Sequence, residues 1–170
     1  MNERAANLLG AYALVAADHM REAAGMELSS AAVLSALHTF ADGASIDDLR
    51  RVLGLSHSGG VRIVGRLEGH GLLTREPDPD DRRAVRLHLT TDGRRLARRV
   101  LASRQAALAA LLAPLDAREA ADLERLLERG LAGITGGGED ANRICRLCDP
   151  DICGHPDRCP VTQAALSGCG

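Results

Sequence analysis

The sequence predicts a mainly α-helical chain with one small two-stranded β-ribbon, followed by a short Cys-rich module of a different kind. Three observations carry this. No Pro occurs before Pro77, and apolar residues recur at helical spacing through residues 3–67. Between residues 72 and 90 the period drops from 3.6 to 2 around a Pro-Asp-Pro turn. All five Cys fall in the last 26 residues, beyond a run of three glycines.

Each element has its own justification. Over residues 3–23, Leu8, Leu9, Tyr12, Val15 and Met20 fall roughly on one helical face that ends near Gly25. Ser29 is the expected N-cap of a second helix, with Val33, Leu34 and Leu37 inward and a stop at Ala41-Asp42-Gly43. Ser45 caps a third, short helix: Ile46, Leu49, Val52 and Leu53 are apolar, Asp47 and Asp48 suit its first turn, and Gly54 follows its last. Ser56 caps a fourth helix running to about His70, with Val61, Val64 and Leu67 as its apolar face and Gly71 beyond. Leu72–Glu76 reads as a strand, Pro77 to Asp81 as a turn, and Ala84–Thr90 as a half-buried strand with Val85, Leu87 and Leu89 on one side. Thr90 or Thr91 opens a long helix through Leu112, ended by Pro114. Asp116 and Glu119 have capping-box spacing and open a last long helix to about Ile134. The only aromatics, Tyr12 and Phe40, are expected in the core, and His19 and His38 as core or cap residues.

Charge is segregated. The formal net charge is −2, and there is no Lys: all 21 basic residues are Arg. Residues 1–49 sum to −5, residues 50–104 to +7 and residues 105–170 to −4. A basic middle between acidic flanks suits a polyanion bound on one face. No apolar run approaches the roughly 20 residues of a membrane span. The N-terminus mixes acid, base and apolar residues without a signal-peptide core, so a cytoplasmic location without membrane contact is expected. Glycine-rich cofactor loops and a nucleophile elbow are missing from the sequence, which argues against an enzyme.

A short helix, a tight turn at Gly54-Leu55-Ser56, a second helix and a ribbon make a winged helix-turn-helix. The second helix has to enter a major groove about 12 Å wide, so its leading residues need to be small or polar. Ser56, His57, Ser58 and Gly59 meet that need, and Arg62 and Arg66 follow as base and phosphate contacts. Arg82 and Arg83 at the ribbon tip are positioned for a minor groove, with Asp81 bracing them. Gly59-Gly60 predicts a loosened start to this helix, since each Gly costs about 1 kcal/mol relative to Ala, or else a close approach of its backbone to DNA. Arg94, Arg95, Arg98 and Arg99 recur along the long helix, either as a solvated face or as flanking phosphate contacts.

Residues 28–101 resemble the MarR family of bacterial transcription regulators. The resemblance rests on Ile46-Asp47-Asp48-Leu49, Leu55-Ser56-His57-Ser58, Arg62-Ile63-Val64-Gly65-Arg66-Leu67-Glu68 and Gly71-Leu72. The wing Asp78-Pro79-Asp80-Asp81-Arg82-Arg83-Ala84-Val85 and the helix start Leu89-Thr90-Thr91-Asp92-Gly93 complete it. It implies a homodimer held by helical elements in residues 1–25 and 91–135, with a DNA-binding part at 28–90. It also implies double-stranded, pseudo-palindromic DNA as partner, a repressor's role and a small-molecule effector. Peroxide sensing through a Cys in the first helix is not carried over, because no Cys occurs there.

Residues 136–170 read as a Gly linker and a Cys-rich tail. Cys145-x2-Cys148-x4-Cys153-x5-Cys159 puts four thiols within 15 residues, punctuated by Pro150, Gly154, Pro156 and Pro160. Tetrahedral Zn2+ is the first expectation, with His155 as an alternate ligand in place of Cys153. An Fe–S cluster is the second, since Cys159-Pro160 resembles the end of a ferredoxin run. Such a centre would be structural, or sensitive to metal or redox state. Cys169 is left as a free thiol. Two other functional classes stay open: a Cys-cluster redox or electron-transfer protein with a vestigial winged domain, and a zinc-ribbon-like interaction module.

Overall fold

In a computed structural model, the structure describes residues 2–79 and 84–167. The element order is α1 (Glu3–Ala24), α2 (Leu28–Thr39), α3 (Ile46–Leu53), α4 (His57–Gly69), β1 (Leu73–Pro77), β2 (Val85–Leu89), α5 (Thr91–Leu112) and α6 (Ala117–Ile134). Three short helices follow: α7 (Gly138–Cys145), α8 (Pro150–Cys153) and α9 (Pro160–Ser167).

The core forms around α2. Its residues 31–37 are buried on all sides, because α3, α4, β2 and α5 surround it. Leu34, Leu37, Leu49, Val64, Leu67, Leu73 and Leu87 meet there. The strands pair antiparallel, Leu73 opposite Leu89 and Pro77 opposite Val85. Leu87 and Leu89 turn into the core, and Leu87 also exchanges backbone bonds with Gly43 and Ala44 at 3.0 and 3.1 Å. The start of α5 is locked onto this ribbon. The Thr90 hydroxyl accepts from Gly93 N–H at 3.0 Å and donates to the Gly71 carbonyl at 2.7 Å. Both capping boxes form, Ser45 with Asp48 and Asp116 with Glu119.

Five expectations are corrected. The second helix begins at Leu28 with Glu27 as N-cap, so Ser29 lies inside its first turn; burial of the following residues sets the boundary rather than a side-chain cap. Val61 is exposed and Ile63 is buried, because Gly60, Ile63, Val64 and Leu67 share one face of α4 and Val61 lies off it. The helix start is not loosened: α4 is regular from His57, and Gly60 is buried where a Cβ would meet Ile46 and Arg50 of α3 at 3.5 and 3.4 Å. Gly60 is therefore a helix-crossing residue. The three glycines are not a free linker, since Gly138 is the first residue of α7 and the Asp140 carboxylate accepts the Gly136 N–H at 3.0 Å. Neither aromatic is buried: the Tyr12 hydroxyl donates to the Leu111 carbonyl at 3.0 Å, and Phe40 sits at the surface end of α2. His19 is exposed on α1 and His38 half-buried on α2.

Candidate functional site

Two sites emerge, one on α4 and the ribbon, the other among the thiols. The first is built from caps. Gly54 closes α3 in the left-handed conformation, φ 64°, and the chain turns within two residues to Ser56. The Ser56 hydroxyl accepts from Gly59 N–H at 3.1 Å and lies 3.3 Å from the Ser58 hydroxyl. His57 projects into solvent and approaches Asp47 at 3.4 Å, while Asp47 accepts from Arg50 Nε at 2.7 Å. The Arg50 guanidinium and then the His57 ring hold the Asp47 carboxyl below its ordinary value. The Ser45 hydroxyl does the same for Asp48, against an opposing desolvation. Arg62 and Arg66 are exposed along α4. The face presented by α4 thus combines hydroxyls, an imidazole and guanidinium groups on a rigid, capped helix.

Asp81, Arg82 and Arg83 lie outside the described residues. Near the turn end of the ribbon Arg86 Nε meets the Asp78 carboxylate at 2.9 Å, and Arg75 meets Glu68 of α4 at 2.9 Å. The first pair braces the ribbon's own turn and the second ties the ribbon to α4; neither was expected from the sequence. Alternation along β1 was the signal that could have found the second, since it puts Arg75 on the same face as the buried Leu73 and opposite Leu87. The long-helix arginines are unequal. Arg94 donates to the Leu89 carbonyl at 2.6 Å and Arg95 pairs with Asp92 at 2.8 Å, whereas Arg98 lines a groove with His38 and Arg99 is exposed.

The second site is a cavity of about 280 Å3 lined by Cys145, Cys148, Cys153, Cys159 and His155, with Thr39 of α2 and its C-cap Phe40 forming part of its wall. Asp149 caps α8 through the Asp151 N–H at 3.1 Å, and Cys153 at the end of α8 lines the cavity. The Cys148 N–H donates to the Cys145 carbonyl at 2.8 Å. All four Cys are free thiols; Cys159 is buried and the others half-buried. Burial, then the neighbouring Cys148 and Cys159 sulfurs, push the Cys145 and Cys153 thiols up to about 12. Burial opposes ionisation of Cys159 too, but the Thr162 hydroxyl and the Thr162 and Val161 N–H groups outweigh it and hold this thiol below its ordinary value. His155 Nδ1 lies 2.9 Å from the Thr162 hydroxyl. Among the described residues, no three His, Cys, Asp or Glu side chains are gathered into a ready metal-binding group. Cys169 lies outside the described residues.

Residues 24–84 match the family model described as MarR family. The transcriptional activatory protein BadR of Rhodopseudomonas palustris is 39% identical over 75 residues, which is 43% of this chain and 43% of that protein. The matched stretch is therefore under half the length of this curated relative. Wild-type apo MarR from E. coli superposes with a TM-score of 0.66 at 25% identity, covering 74% of this chain and 96% of that one. CouR from Rhodococcus jostii, solved with bound p-coumaroyl-CoA, superposes with a TM-score of 0.54 at 27% identity, covering 72% of this chain and 85% of that one. The capped α3–α4 turn, the ribbon behind it and these matches show a winged helix-turn-helix fold similar to that of MarR-family transcriptional regulators, with residues 24–84 as the stretch that the family model matches.

Proposed function

We propose that the chain is a homodimeric, sequence-specific DNA-binding regulator that represses by occupying a pseudo-palindromic operator in the cytoplasm. The exposed face of α4 carries this reading. Ser56, His57, Ser58 and Gly59 lead the helix, Arg62 and Arg66 flank it, and the whole lies in the segment of charge +7. The leading residues would contact base edges and the arginines phosphate, with Arg82 and Arg83 reaching the adjacent minor groove.

Dimerisation is supported by an uncovered apolar groove of about 810 Å3 between α1, α5 and α6, lined by Leu8, Leu9, Tyr12, Leu111, Leu126 and Leu127. An apolar surface of this kind marks an interface in water, and a second copy would set two α4 helices about one DNA turn apart. A second groove of about 780 Å3 runs between α2, α5 and α8, with Arg98 and His38 beside Leu101 and Ala106. It suits a small effector with an apolar body and an acidic group.

Fluorescence anisotropy with DNA from the protein's own promoter region tests the reading. Affinity should fall steeply between about 50 and 200 mM salt. Arg66→Ala should weaken all sequences alike, and Ser58→Ala or Arg62→Ala should change base preference. Failure to bind any such DNA would remove the reading. The activatory name of BadR favours a second sign of control by the same contacts, and a promoter-reporter fusion distinguishes activation from repression.

A further inference from the structure

We infer that the thiol cavity is a zinc site held by Cys145, Cys148, Cys153 and Cys159, and that its loading sets the DNA affinity of α4. The second half rests on the DNA-binding reading above; the first does not. Four sulfurs reach the cavity from separate places: the end of α7, the turn after it, the end of α8 and the residue before α9. Zinc takes four thiolates in a closed tetrahedral site. Here Cys159 is the buried member of the four, and the other three lie half-buried around the same cavity. Thr162 also lines this cavity, an outer polar group of the kind that orients a metal-bound thiolate. His155 is tethered to the same Thr162 and lies exposed at the rim, so it takes an orienting role. On loading, one Zn–S bond forms at each sulfur as its proton leaves to water, with no change in oxidation state.

The surroundings explain why a metal is needed. Helices α7, α8 and α9 have 8, 4 and 8 residues, too short to persist alone in water. Among their residues and the turns between them only Cys159 and Val161 are buried. A cross-link at the thiols supplies what this small core lacks.

The module also touches the reading head. Helix α7 packs on α3, and the Arg143 guanidinium lies over the α3–α4 turn, 3.5 Å from where a Cβ on Gly54 would be. Helix α9 packs on both α7 and α6. The four thiols therefore close a strut between α6 and the helix that positions α4. Metal loss loosens α7 and frees α3–α4 to leave the geometry that DNA needs.

The test uses the full chain, with metal content by inductively coupled plasma mass spectrometry and DNA affinity by anisotropy. Protein as isolated, chelator-treated and zinc-reloaded is compared with Cys145→Ser, Cys159→Ser and Arg143→Ala. One zinc per chain is expected, lost in both Cys variants and retained in Arg143→Ala. Chelation should weaken DNA binding roughly tenfold, an ordinary size for coupling between sites, with recovery on adding Zn2+ and none with Mg2+. Arg143→Ala should shrink that fold-change while keeping its zinc. A metal-free wild type, or Cys variants that keep stoichiometric zinc, would overturn the site. Stoichiometric iron in a brown protein would overturn zinc as occupant. Equal affinity with and without zinc would overturn the coupling. A protein that binds zinc and no DNA in either state would sink the DNA-binding reading and the coupling, and leave the site standing.

Discussion

Gly93→Ala gives a sharp test of how the ribbon and α5 are joined. Gly93 is buried in the first turn of α5, directly against the chain entering β1. A Cβ built there would lie 1.8 Å from the Leu72 carbonyl oxygen and 2.9 Å from its carbon. The neighbour is backbone, and the same oxygen accepts the Thr90 N–H at 3.1 Å, so no rotamer relieves the clash. Helix and strand must part by about 1–2 Å to restore an ordinary carbon–oxygen contact. Overpacking of this kind costs about 1–3 kcal/mol and occasionally more; the loss of the Thr90 bonds adds to it, and the better helix propensity of Ala offsets about 1. A net loss of about 3 kcal/mol should lower Tm by roughly 6–12 °C. Gly130→Ala is the control: its site has nothing within 4 Å, so Ala there should stabilise by up to about 1 kcal/mol. Thermal unfolding followed by circular dichroism reads both. If Gly93→Ala melts with or above the wild type, α5 does not press on Leu72 in the way described.

Ser35 is fully buried in α2, and its hydroxyl has no hydrogen-bond partner among the described residues. Ser35→Ala should raise stability by about 1 kcal/mol in urea melts, through relief of an unmet hydroxyl and better helix propensity. The Asp48 carboxyl is held below its ordinary value chiefly by the Ser45 hydroxyl, so its contribution is complete above about pH 4 and disappears as pH falls through its lowered folded value. Its side chain is half exposed, which limits the contribution to about 0.5 kcal/mol. Asp48→Ala should therefore flatten the acid limb of the stability profile and leave a smaller difference from wild type at pH 3 than at pH 7. Leu126→Glu puts charge into the open groove between α1 and α6. Sedimentation should show it monomeric where the wild type is dimeric, and an unchanged dimer would remove that groove as the interface.

Local chemistry made much of the fold legible. Ser45, Ser56, Thr90 and Asp116 are all N-caps where polar side chains precede helical periodicity, because a cap is a contact within three residues. The alternation of residues 85–89 similarly specified a one-sided strand. Where a boundary answered to distant packing, the local signal failed. Ser29 looks like a cap, but α2 is enclosed on all sides and begins earlier. Gly59-Gly60 looks like weakness in α4, but Gly60 is where that helix crosses α3.

The same division holds at the sites. The cluster of hydroxyls, His57 and arginines on α4 follows from residue order, since one helix carries them all. The pairs Glu68–Arg75 and Asp78–Arg86 needed the ribbon to fold back before they could meet. Cys spacing pointed to four thiols around one centre, and nothing in that spacing said where the centre would stand. Only the packing of α7 on α3 and of α9 on α6 sets the thiol cavity beside Phe40 and Arg143 of α7 over the α3–α4 turn. Caps, periodicity and ligand spacing are short-range and survive in a linear string of residues, whereas the docking of short helices depends on surfaces that exist only after the chain has closed on itself.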